Sequence, residues 1–203
     1  MPNTGRNAMI LGVTGGIACG KSEVGRILGE MGFSVCDADV VAHNLMAKGA
    51  LAFQKVVDHF GSGILSEEGE ILRPALGHIV FEHPEQREIL NGLVHPAVRH
   101  ALAEWIEQMQ AEGRRSAVLL PLLFESGMQD LGWNSILCVS SREADVVQRL
   151  EQRGLSREES EKRVHSQMPL AEKERLADHV VPNDGTLEEL ELAVQKTVQA
   201  ISR

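Results

Sequence analysis

The run Met9-Ile-Leu-Gly-Val-Thr14, followed by Gly15-Gly-Ile-Ala-Cys-Gly20-Lys21-Ser22 and by Glu23-Val-Gly-Arg-Ile-Leu28, decides the fold. Its first six residues read as a short buried strand. Val24, Ile27, Leu28 and Met31 recur at i, i+3, i+4 and i+7, so a helix with one apolar stripe is expected over Lys21 to Met31, with Gly32 as its stop. Between strand and helix, Gly15 to Ser22 matches G-x-x-x-x-G-K-[ST], the phosphate-cradling P-loop, in the context that the motif needs. Each position has a phosphate task. Glycines let successive N–H groups point inward, the helix start adds partial positive charge, Lys21 reaches the β- and γ-phosphates, and the Ser22 hydroxyl suits Mg²⁺. A chance Gly-rich turn is the alternative, but four fixed positions coincide by accident in about one chain of this length per hundred or fewer.

Outward from this unit, Phe33-Ser-Val-Cys36 reads as a second strand ending at Asp37-Ala-Asp39, expected beside the P-loop strand and bringing its acids to the sheet edge where ligands collect. Val40 to about Glu112 is mostly helical in pattern, with Phe53, Val56, Val57 and Phe60 on one face and a new helix expected at Pro96. Ala117 to Leu120, Ser135 to Val139 and His179 to Val181 read as further strands, and Val146 to Gln167 as one charged helix. Thr186 with Glu189 forms a capping box ahead of a C-terminal amphipathic helix. Strands alternating with helices imply a parallel α/β sheet.

Composition narrows the partners. With 20 Lys+Arg against 29 Asp+Glu, the net charge of −9 repels nucleic acid, so bound phosphate must be captured locally. Aromatic content of 3% without Tyr removes the stacking platforms of a single-strand binder. The longest apolar run, near Ala117 to Phe124, is far short of a membrane span, and residues 1–8 lack a signal peptide's apolar centre, so a flexible leader and a cytosolic (cytoplasmic) location are expected. Cys19, Cys36 and Cys138 match neither a disulfide framework nor a zinc pattern and read as reduced thiols. No obligate protein partner is evident.

A P-loop alone does not separate kinases from switches. Asp58-His-Phe-Gly61 imitates a GTPase D-x-x-G, but its neighbours have helical period, and no Asn-Lys-x-Asp guanine reader occurs, which favours ATP. A carboxylate facing the γ-phosphate can orient an attacking hydroxyl and take its proton, and Asp39 is the preferred base over Asp37; solvated turn acids or helix caps are the alternative. Glu125, at the end of Pro121-Leu-Leu-Phe-Glu125, suits a water-mediated Mg²⁺ contact or an anchor for a substrate wall. Arg149, Arg153, Arg157, Lys162, Arg163, Lys173 and Arg175 could close over ATP, or pair with neighbouring glutamates as a solvated surface.

Taken together, these residues resemble one family, the dephospho-CoA kinases. The similarity runs from about Ile10 to Ala193 and rests on Thr14 to Ser22, Asp37-Ala-Asp39, Leu93-Val-His95-Pro96, Pro121 to Glu125, Gln148-Arg149 with Arg153, Arg163 with Gln167, and Ala177-Asp178 leading to Asn183-Asp-Gly185. The resemblance implies transfer of phosphate from ATP to the ribose 3′-hydroxyl of dephospho-CoA, the last step of coenzyme A synthesis, with Mg²⁺ at Ser22. It implies a P-loop three-layer α/β fold with a five-stranded parallel sheet. Catalysis would fall to Asp39 as base with Lys21 and Arg149, the latter in a lid over the phosphates. Gly15, Gly16, Ile17, Ala18, Cys19, Gly20, Lys21, Ser22 and Glu23, with Arg149, Arg153, Asn183 and Gly185, would hold the nucleotide. Asp39, Arg73, His95, Pro96, Leu123, Glu125 and Arg163 would hold dephospho-CoA. One kinase domain over 9–203 is expected, with core segments 9–44, 116–148 and 176–203, a helical substrate-side insertion over about 45–115 and a lid over about 149–175.

Two departures stand out. Ala18 and Cys19 occupy positions where the family usually has Gly and Ser; Ala18 is expected not to need positive φ, which would penalise it by about 1 kcal/mol or more. Cys19, next to a helix N-terminus, is expected to have a lowered thiol pKa and to alkylate readily, or else to be a passive isostere of serine. Pro74 follows Arg73 where a second basic residue is common, leaving one contact to the substrate's phosphates open. A related nucleoside or sugar kinase, or a nucleotide-dependent regulatory binder, are the rival readings.

Overall fold

Five parallel strands carry the fold: β1 (Met9–Gly15), β2 (Ser34–Asp37), β3 (Arg115–Leu119), β4 (Ser135–Ser140) and β5 (His179–Pro182), in the order β2-β3-β1-β4-β5. The computed structural model describes residues 8–202, so the leader expected over 1–8 lies, but for Ala8, outside the described residues. β1 is central, paired with β3 through Met9↔Arg115 and with β4 through Leu11↔Ser135. The expectation that the Asp37 strand adjoins the P-loop strand is corrected, since β3 lies between them. Hydrophobic pattern marks a strand but does not order it; the long crossover before β3 lets a later strand enter between two earlier ones.

The three inner strands, β1, β3 and β4, are buried over nearly their whole length, as a sheet covered on both faces requires, while the edge strands β2 and β5 are only partly buried. Helix α1 (Lys21–Glu30) buries Val24, Ile27 and Leu28, and the last helix, Leu187–Ile201, buries Leu190, Val194 and Val198 in the same core cluster as Leu11, Val13, Leu137 and Val181. Side chains pin the strand starts. Asn134 Oδ1 accepts from the Ile10 amide at 2.7 Å, and Asp178 Oδ2 accepts from the Ile136 amide at 2.7 Å.

The chain divides into two compact units, one running up to Asp37 and resuming at Ile106, the other Ala38–Trp105. The second unit holds α2 (Ala38–Leu45), α3 (Phe53–Phe60), a 3₁₀ turn (Ser62–Ile64), α4 (Arg73–Glu82) and most of α5 (Pro84–Ala111). α5 corrects the expected helix start at Pro96, because the helix runs straight through that residue. Proline removes one N–H from the ladder and its ring presses on the carbonyl four residues back, which here belongs to Gly92. Asp58 lies on α3, as its helical neighbours required.

In the first unit the expected single helix from Val146 to Gln167 is two, α6 (Glu143–Gln152) and α7 (Arg157–His165), followed by α8 (Leu170–Leu176) and by the last helix, α9 (Leu187–Ile201). Gly154, at φ +91, ends α6, and Ser156 with Glu159 forms a capping box that starts α7. The capping box of Thr186 and Glu189 on α9 is present as read.

Candidate functional site

The P-loop leaves the carboxyl end of the central strand and enters α1, where β1 is flanked by β3 on one side and β4 on the other, the switch point of the sheet order. Two glycines in it are obligatory. Gly15 has φ +143, and a Cβ there would fall 2.2 Å from the Val139 carbonyl oxygen; Gly20, the residue before α1, has φ +101, and its Cβ would fall 2.2 Å from Asn183 Nδ2. Ala18 corrects the expectation made for it, since its φ is +54. The loop changes hand at that point, which turns successive amides inward and leaves Ala with a strain that Gly would not carry.

Lys21 bends back over the loop, its Nζ donating to the carbonyls of Gly15 (3.0 Å) and Gly16 (2.7 Å). Ser22 is exposed in the first turn of α1, where a hydroxyl can meet a hard cation. Glu23, placed with the nucleotide set, forms an exposed ion pair with Arg26 at 2.7 Å. Cys19 corrects the expectation of a lowered thiol pKa and fits the alternative of a passive residue. Its side chain is 1% exposed within the core, and burial pushes the thiol pKa up, outweighing the lowering fields of Lys21 and Arg149. A buried neutral thiol is a poor nucleophile.

The back of the loop is strapped to two neighbouring segments. Asn183 Nδ2 donates to the Cys19 carbonyl at 2.8 Å, and the Asn183 amide donates to the Ser140 carbonyl at 2.7 Å. Arg149, on α6, donates to the carbonyls of Ala18 (3.1 Å) and Asn183 (2.9 Å) and to Ser141 Oγ (2.9 Å), while that hydroxyl donates to the Asn183 carbonyl at 2.7 Å. Arg149 thus straps the back of the loop to the segments at Ser141 and Asn183. Arg153 is exposed at the end of α6 and Arg163 lies on α7. Gly185 is held for another reason: its Cβ would meet Glu189 Oε2 of the capping box at 1.8 Å.

Beside the loop opens a cleft of about 390 Å³, whose walls include Gly16, Ile17, Ser141, Val146, Met168 and Leu170. Gln167 also lines it, and its Oε1 is buried without a hydrogen-bond partner among the described residues. An orphaned acceptor of this kind suits a ligand's N–H donor. Among the described residues no cluster of three His, Cys, Asp or Glu could hold a metal ion, so a cation here would depend on Ser22 and on the ligand's own phosphates.

On the far side, Glu125 is paired with Lys173 Nζ at 2.7 Å and accepts from the Met168 amide at 3.2 Å, which fits an anchor. Leu123, expected at the substrate site, is fully buried and packed toward Gly12, which leaves it no exposed surface for a substrate. In the second unit, Asp39 sits in the first turn of α2, Arg73 at the start of α4 lines a groove of about 360 Å³, and half-buried His95 precedes Pro96 on α5, burial lowering its pKa. Ser141 was missed as a site-shaping residue, and Lys173, read as closing over ATP or as part of a solvated surface, is instead fully buried. Lys173 stands three residues after Leu170 and four before Ala177, a core-facing spacing in the helical period, and that was the available signal.

A family model described as dephospho-CoA kinase matches residues 9–189. The chain belongs to the dephospho-CoA kinase family. Curated dephospho-CoA kinases from Bacillus anthracis (43% identical, 88% of this chain and 90% of the relative) and Carboxydothermus hydrogenoformans (45%, 88% and 87%) are similar over nearly its length. Among solved structures, the dephospho-CoA kinase from Campylobacter jejuni superposes with TM-score 0.72 at 32% identity, covering 95% of this chain and 96% of that one. A shikimate kinase from Acinetobacter baumannii in complex with shikimate shares the fold alone, at TM-score 0.56 and 16% identity over 97% of this chain and 94% of that one. Dephospho-CoA kinase activity, the final step of coenzyme A biosynthesis, is thus the activity of this chain, and its family uses ATP. Among the described residues no helix is long and apolar enough to cross a membrane.

Proposed function

We propose that the chain transfers the γ-phosphoryl group of ATP to the ribose 3′-hydroxyl of dephospho-CoA, with Asp39 as the base. The observation that supports this most directly is the P-loop itself, with its hand reversal at Ala18 and Gly20 and the Lys21 ammonium folded over its mouth. In the step, the 3′-oxygen forms a bond to the γ-phosphorus, the bond from that phosphorus to the β–γ bridging oxygen breaks, ADP departs, and the hydroxyl proton passes to the Asp39 carboxylate. Asp39 follows the carboxyl end of β2 by two residues. Lys21 and the amide-lined loop hold the phosphates, and Arg149 adds positive charge from behind Ala18. Mg²⁺ would be held by Ser22 and phosphate oxygens, supplying charge neutralisation when bound.

Arg73, His95 and Pro96 of the second unit, with Arg163, are the proposed dephospho-CoA contacts, and Arg153, Asn183 and Gly185 remain proposed nucleotide contacts. Catalysis of this kind is placement and electrostatics.

An ADP-release assay with dephospho-CoA against a panel of nucleosides and sugars tests the acceptor. Turnover is expected with dephospho-CoA, and none above background with it would sink the reading. Asp39→Asn is expected to lower kcat by about 10²–10⁴-fold while nucleotide binding persists; unchanged kcat would remove Asp39 from the base role.

A further inference from the structure

The most deeply buried charged group among the described residues has no part in the chemistry above. Lys173, on α8, is fully buried, and its Nζ touches the Glu125 carboxylate at 2.7 Å and the Pro121 carbonyl at 2.8 Å. Both partners lead to the nucleotide side of the fold. The Pro121 carbonyl also accepts from the hydroxyl of Thr14 at 3.2 Å, and Thr14 directly precedes Gly15 of the P-loop. Glu125 accepts from the Met168 amide, whose side chain with Pro169 and Leu170 walls the cleft beside the loop. On the same helix, Leu170 Cδ1 lies 3.7 Å from where a Cβ on Gly16 would stand, so α8 rests directly on the loop. The adjacent Glu174 accepts from Ser140 Oγ, fastening the helix to the end of β4 as well.

We propose that Lys173 is a positioning residue for the nucleotide site, locking α8 and the Met168–Leu170 wall at a set distance from the P-loop. The proposal rests on the reading of that cleft as part of the ATP site. A buried ammonium between a carboxylate and a carbonyl has one satisfactory position, so the network holds the wall by electrostatic necessity, not by apolar contact that can slide. Without it, Glu125 keeps a carboxylate with no cation and Pro121 loses a donor. The wall then moves relative to Gly16 and Ile17. The contacts of Lys173 and its partners run to Thr14, to the Met168 amide and, through Leu170, to Gly16, so the effect of losing the ammonium is expected to fall on ATP.

The test is steady-state kinetics of the full chain with Lys173→Met, Lys173→Arg and the double variant Lys173→Met/Glu125→Gln, each beside a thermal melt. Lys173→Met is expected to raise KM for ATP by about tenfold and to leave KM for dephospho-CoA within about twofold. Lys173→Arg keeps the charge and a donor and should hold KM for ATP within about threefold of the parent. The double variant removes both charges, so its melting temperature should recover toward the parent while KM for ATP stays high. Recovery of both together would reduce Lys173 to a stability role and overturn the proposal, as would an unchanged KM for ATP in the folded single variant. Should the single variant fail to fold, the double variant carries the same decision. The Kd of a fluorescent ATP analogue reads the effect without an acceptor, so a parent inactive on dephospho-CoA would sink the proposed reaction and leave the Lys173 question still decided.

Discussion

Ala18 holds a left-handed conformation, φ +54, in a loop whose chemistry depends on that reversal. An L-residue pays a steric penalty there because Cβ approaches the following carbonyl. Ala18→Gly should therefore raise stability by up to about 1 kcal/mol, the gain trimmed by glycine's freer unfolded chain. Urea unfolding of the two proteins measures it, and a variant less stable than the parent would show that Ala18 is not strained. The residue identity was plain in the sequence; the sign of φ was not, because local sequence does not report the hand that loop closure imposes. Cys19 makes the same point. Proximity to a helix start was legible, but the core packed over the thiol was not, and burial outweighs the field of Lys21.

Elements were read best where one face meets one core. β1, α1 and α9 follow their periodicity, and the Thr186–Glu189 box lies where the spelling T-x-x-E put it. Thr186 Oγ1 accepts from the Glu189 amide and Glu189 Oε2 from the Thr186 amide at 2.8 Å. Thr186→Ala should cost about 1 kcal/mol, read as a lower urea midpoint with unchanged slope. No shift in midpoint would mean that packing of Leu190, Val194 and Val198 alone sets where the helix begins. Pro96 and the break between α6 and α7 were read less well. A proline inside a helix is tolerated when the rest of a long helix is held by its flanks, and the charged α7 part of the stretch, which buries only Ser160, leaves the boundary to the caps.

At the scale of the whole molecule, the fold buries Cys19 and Cys138 and partly buries Cys36. Burial pushes Cys138 to about 12 and Cys36 to about 11, against an ordinary value of 9.0. With the folded pKa above the unfolded one, this contribution is fully present below pH 9 and is lost as pH rises from 9 toward 11 and 12. Thermal stability should fall across that window, and fall less in Cys138→Ala relative to its own value at pH 8; equal slopes in the two proteins would exclude the thiol as a cause. The net charge of −9 acts at this scale too, repelling polyanions while the local loop captures phosphate.

The sequence by itself determined the α/β class, the strand-loop-helix phosphate site, the capping box at the start of α9, and the family, because these depend on residues near one another in the chain. Tertiary structure decided the insertion of β3 between β2 and β1, the strapping of Arg149 and Asn183 behind the loop, and the burial of Cys19, Leu123 and Lys173. Those depend on which distant segments meet: Arg149 lies 131 residues from Ala18, and Asn183 lies 164 from Cys19. A side chain's charge is written in the chain; whether water can reach it is settled only when the sheet has closed around it.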